Sequence, residues 1–81
     1  MSDPNTDHVA DAFRAALQLP ANFAIRDEMS YDDLPGWDSL AHMRLVVELE
    51  NRSGISLEMD EIAMIDSVRA ARDVVARKKA D

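Results

Sequence analysis

Apolar side chains fall at helical spacing in three separate stretches of this chain, and that periodicity limits the fold more than any other feature. Val9, Phe13 and Leu17 stand at i, i+4 and i+8, with Ala10, Ala12 and Ala16 beside them. Thr6 or Asp7 can cap this stretch and Pro20 stops it, which predicts a first helix over about residues 7–18. From Ser39 to about Arg52 the pattern is helical again, with Asp38 placed as N-cap and Ser53-Gly54 ending it as a left-handed cap would. In the last stretch Val68, Ala71 and Val75 recur at i, i+3 and i+7, behind Asp66 or Ser67 as cap. Met59 to Met64 can form a brief helix between the second and last, with Ile62 and Ile65 turned inward. Aromatic residues make up only 5% of the chain and there are two glycines, which disfavours strands and Gly-rich turns. The prediction is an all-α, small four-helix bundle: three main antiparallel helices plus one short helix.

The 81 residues suffice for one domain, expected to span 1–81 and to be ordered over about 6–76. So small a chain buries only roughly 60% of the surface its unfolded form exposes, which leaves little for an enclosed enzyme cleft. The net charge of −7 argues against nucleic acid or an anionic membrane as partner and favours basic protein surfaces. That charge is uneven: −6 over residues 1–38, −3 over 39–61 and +2 over 62–81. The basic end, Arg77, Lys78 and Lys79, matches the negative pole of a helix C-terminus. There is no cysteine, the polar start resembles no secretion signal, and no apolar run approaches the roughly 20 residues that span a bilayer. A cytoplasmic monomer is the expectation.

Two features ask for more than a generic bundle. Residues 20–37 form a long loop that must be pinned, with Phe23, Ile25, Met29 and Leu34 as anchors and Ser30 and Asp33 able to open one helical turn. The second helix carries two apolar rows: Leu45 and Leu49 with Val46 nearby, and Leu40, Met43 and Val47 interleaved with Arg44, Glu48 and Asn51. A small bundle usually buries one stripe per helix, so the second row needs a use.

His8 and His42 lack ligands at metal-binding spacing, and Asp32-Asp33 lies in a charge-rich loop, so neither forms a metal or acid-base site. Ser39 differs. It opens a helix directly after a turn and a capping Asp, where free N–H groups and the helix dipole favour a phosphate ester. Ser39 and His42 could instead form a nucleophile and base one turn apart, but no third orienting residue is evident. A non-covalent helical adaptor, with Ser39 as a mere cap, is a further reading.

Gly36-Trp37-Asp38-Ser39-Leu40, followed by a helix containing Val46-Val47-Glu48-Leu49-Glu50, resembles the modification site of acyl carrier and peptidyl carrier proteins. The likeness runs over residues 36–75: the Leu45/Leu49 row, Ile55 and Leu57, the acidic Glu58-Met59-Asp60-Glu61, and Asp66-Ser67-Val68 at the last helix. The resemblance implies a stand-alone carrier and not an enzyme. A phosphopantetheinyl transferase would attach 4′-phosphopantetheine from coenzyme A to Ser39, flanked by Asp38 and Leu40, and the arm's thiol would hold acyl groups as thioesters. A chain without cysteine can enter thioester chemistry only through such a prosthetic thiol. Leu40, Met43, Arg44, Val47, Glu48 and Ile62 would then meet acyl-loading, condensing or tailoring enzymes, or border an acyl-binding space between helices.

Three positions depart from the family pattern. Arg44 stands on a face that is usually acidic in fatty acid synthase carriers, which leans towards a specialised polyketide, nonribosomal peptide or related pathway. An aminoacyl carrier and a primary fatty acid synthesis carrier are the alternatives. Ser53 replaces a usual buried Phe, and Arg72 lies where the last helix is often apolar; both suggest a thinner core or one repacked around Trp37 and Phe13.

Overall fold

A computed structural model describes residues 7–80, and all of its regular structure is helical: α1 His8–Ala16, α2 Ser39–Ser53, α3 Met59–Met64 and α4 Val68–Ala80. The expected bundle of three main helices and one short helix is what forms. The possible cap Thr6 lies outside the described residues; Asp7 caps α1, its carboxylate accepting the Ala10 N–H at 3.1 Å.

The first helix ends earlier than its apolar pattern suggests. Leu17 is the C-cap and Gln18 takes a left-handed φ of 56°. Leu19 N–H then donates to Arg14 O at 2.8 Å and Gln18 N–H to Ala15 O at 3.4 Å. This is a Schellman closure made without glycine, at a cost of about 1–3 kcal/mol for the left-handed residue. Pro20 is therefore not the stop; the chain has already turned.

Helix α1 packs against both α2 and α4. Phe13, Leu34, Leu45, Leu49, Ile65 and Val68 are essentially sealed from solvent, and each such side chain contributes about 1.5–3 kcal/mol by burial. Phe13 meets Trp37 edge to face with ring centroids 5.2 Å apart. Ser53 is itself buried, and its Oγ has no hydrogen-bond partner.

Ile62 and Ile65 do not share the same fate. No residue of α3 is fully buried, and Ile62 is only half-covered, whereas Ile65 just beyond the helix is wholly enclosed. A two-turn helix held by a Glu58/Glu61 capping box lies on the bundle's surface and delivers its anchor from its C-terminal end.

Backbone bonds to α4 pin the long loop. Val68 N–H donates to Met29 O at 2.9 Å and Arg69 N–H to Asp27 O at 3.0 Å, next to an antiparallel bridge between Ser30 and Ser67. First-turn N–H groups lack partners inside their own helix, and here the loop supplies them. Of the two candidate caps Ser67 serves, its Oγ accepting from Ala70 N–H at 3.1 Å. Ser30 and Asp33 close the expected turn, Ser30 N–H donating to Asp33 Oδ2 at 3.1 Å.

Arg72 belongs to this fastening and not to a weakened core. Its Nη1 and Nη2 reach both Asp7 oxygens at 2.9 and 2.7 Å, while Nε reaches Asp27 at 2.6 Å. The Arg72 hydrogen bond, with a smaller contribution from Ala10 N–H, holds the Asp7 carboxyl below its ordinary range. Asp7 in turn, and then Asp27, raise the Arg72 guanidinium. Helix α4 continues to Ala80, with Lys78 bonded to Glu61 at 2.9 Å.

Candidate functional site

Ser39 stands exposed as the first residue of α2. Gly36 makes the turn before it with φ at 81°, a region that other residues enter only with strain, and Asp38 N–H donates to Gly36 O at 3.0 Å. Asp38 caps the helix in two ways: its carboxylate accepts Ala41 N–H at 2.8 Å and its carbonyl accepts His42 N–H at 2.8 Å. Those bonds leave the N–H groups of Ser39 and Leu40 at the helix start for an anion, with the positive end of the helix dipole behind them. An exposed hydroxyl at this position fits a covalently attached phosphate ester.

The neighbouring Trp37 is buried and faces inward as an anchor. Its indole N–H donates to His42 Nδ1 at 3.0 Å, and His42 Nε2 lies 3.0 Å from Ile62 O. Indole nitrogen can only donate, so Nδ1 is the acceptor and Nε2 carries the proton given to Ile62. Both nitrogens of His42 are thus engaged by the fold, which removes it as a base for Ser39. Tyr31 completes the cluster, its ring 4.4 Å from Trp37 and its hydroxyl donating to Ile65 O at 3.4 Å.

Tyr31, Trp37, Asp38, Ser39, His42 and Met43 line an open groove of about 420 Å³. A larger hollow of about 530 Å³, bounded by Met64, Ala70, Asp73, Val74, Ala76 and Arg77, contains no part of the Asp-Ser-Leu segment. On the outer face of α2, Leu40, Met43 and Val47 are 61%, 52% and 51% exposed. With Arg44 and Glu48 they form a shallow hollow of about 270 Å³. Glu48 accepts from Arg52 Nε at 2.8 Å, so much of its charge is answered within the helix; Arg44 makes no ion pair among the described residues. Ile62 joins the site through its backbone carbonyl.

Sequence reasoning weighed His42 as ligand or base and favoured a structural or surface role, but it did not identify Trp37 and Ile62 as its partners, and it did not single out Tyr31. The available signal was Trp37 and His42 five residues apart across a helix start, which brings an indole N–H within reach of the ring.

Neither a protein-family model nor a curated protein matches this sequence. Among solved structures, the fold is similar to the holo acyl carrier protein from Geobacter metallireducens, determined by NMR in solution, with a TM-score of 0.77. The two are 30% identical, over 89% of this chain and 82% of that one. The likeness to that protein supports a carrier role rather than an enzymatic one. The chain belongs to the acyl carrier protein family.

Proposed function

We propose that Ser39 is the attachment point for 4′-phosphopantetheine and that the chain carries acyl intermediates on it. The observation that carries this reading is the exposed Ser39 hydroxyl at the capped start of α2. Ser39 Oγ forms a phosphodiester as the pyrophosphate link of coenzyme A breaks, adenosine 3′,5′-bisphosphate leaves, and the hydroxyl proton passes to a base of the transferase. When bound, the group supplies a thiol to which an acyl chain is joined as a thioester. The chain needs no base of its own. Asp38 holds the first turn in shape, and the N–H groups of Ser39 and Leu40 offset the charge of the phosphodiester.

Leu40, Met43, Arg44, Val47 and Glu48 form the face that meets the transferase and the acyl-loading, condensing or tailoring enzymes, with Ile62 at its border. Arg44 on this face, without an ion pair among the described residues, supports a specialised pathway over ordinary fatty acid synthesis; an aminoacyl carrier is the alternative. Residues 1–81 act in this reading as one carrier domain working in the cytoplasm. Incubation with coenzyme A and a broad-specificity transferase, followed by intact mass, tests the proposal. Wild type should gain one phosphopantetheine and Ser39→Ala none; a wild type that gains nothing, or a variant that still gains the group, overturns it.

A further inference from the structure

The groove beside Ser39 differs from the other hollows in containing the serine itself, so any group attached at Oγ begins on its rim. Three of its polar side-chain groups are engaged by the fold. Trp37 Nε1 is bonded to His42, His42 Nε2 to Ile62 O, and the Tyr31 hydroxyl to Ile65 O. What remains at its surface includes the Tyr31 ring and the Met43 side chain, together with the Ser39 hydroxyl and the second Asp38 carboxylate oxygen, the first being held by Ala41 N–H. Tyr31 is 47% exposed and Met43 52% exposed, yet the Tyr31 ring is fixed against Trp37 and by its hydroxyl. An aromatic ring and a pliant thioether lining one groove suit a compact, branched apolar group. One anionic acceptor at its edge suits a hydroxyl or amide N–H next to that group.

We infer that this groove is the seat of the pantoyl portion of the arm, resting on the reading of Ser39 just given. The two geminal methyls of that portion lie between Tyr31 and Met43, and its adjoining hydroxyl and amide face Asp38. At about 420 Å³ the groove falls within the roughly 300–1,000 Å³ of small-molecule sites. Met43 lies at the junction of the two surfaces, and Leu40, Arg44, Val47 and Glu48 are left to protein partners.

Holo protein prepared with coenzyme A, its loading established by intact mass, is examined by proton and carbon NMR with isotope-filtered NOE spectra. The pantoyl methyls should shift upfield of their positions in free coenzyme A and show NOEs to the Tyr31 ring and the Met43 methyl. Tyr31→Leu should return them towards the free positions while the mass gain persists. Met43→Ala, at a solvent-exposed helix position, should leave the helical circular dichroism unchanged and loosen the same methyls. Loaded wild type with methyls at the free coenzyme A positions and no such NOEs overturns the groove assignment alone. Absence of any mass gain overturns the attachment reading and the groove with it.

Discussion

The indole N–H of Trp37 donates to Nδ1 of His42 at 3.0 Å, joining the residue two before Ser39 to the residue three after it. Through His42 Nε2 and Ile62 O the link extends to α3, so loop, second helix and short helix meet at one imidazole. His42→Ala leaves the Trp37 N–H without a partner in a partly buried place and removes one of two donors from the Ile62 carbonyl, which keeps the Ile65 N–H at 3.3 Å. The expected loss is about 1–3 kcal/mol, read by urea unfolding, with a shift in the emission of the single tryptophan. Unchanged stability and emission would show that the imidazole holds nothing together.

The Arg72 clamp makes a pH prediction of definite sign. The Asp7 carboxyl is depressed in the folded protein, mainly by its hydrogen bond to Arg72. Its contribution is therefore fully present above the unfolded value of about 3.9 and fades as pH falls through the lower folded value. Because the groups are substantially solvated, Arg72→Leu should cost about 0–1 kcal/mol at neutral pH. The variant's stability should also depend less on pH below about 4, which acid titrations of the two proteins followed by circular dichroism would measure.

Ser53 is buried with an unpaired Oγ. Removing that hydroxyl takes away a desolvation cost and opens little space, so Ser53→Ala should be neutral or stabilising by about 1 kcal/mol. A fall in thermal midpoint would mean that the hydroxyl has a partner after all.

The two apolar rows of α2 should separate stability from recognition. Leu45 is wholly enclosed, and Leu45→Ala should cost about 2–5 kcal/mol. Val47 is half open to water, and Val47→Glu should change stability by about 0.5 kcal/mol or less. If the outer row meets the transferase, the same substitution should lower kcat/KM for modification about tenfold, equivalent to about 1.4 kcal/mol. Equal losses of stability at both positions would remove the distinction.

Where a helix boundary was set by a local signal, it could be read from the chain. Asp38 and Gly54 bound α2 as their chemistry suggests, because a capping carboxylate and a left-handed glycine act within a turn of themselves. Gln18 misled because it takes the glycine's conformation without being glycine. Ile62 and Ile65 are equally apolar, and only the way α3 lies on the bundle decides which is enclosed. Ser39 and its cap were legible because a capped helix start is written in a compact local motif. The Tyr31 wall was not, since it depends on contacts with Trp37 and Ile65 that no spacing encodes.

The bonds from Met29 O to Val68 N–H and from Asp27 O to Arg69 N–H also bear on the order of events during synthesis. The loop leading to Ser39 gains its support from residues translated about thirty positions after that serine, so contacts distant in sequence must close before the serine is properly presented. A nascent chain that has emerged only as far as α3 has its serine but not the scaffold behind it. A chain truncated before Val68 should therefore be a poor transferase substrate although every residue around Ser39 is present, and efficient modification of that fragment would show that the local helix start is enough.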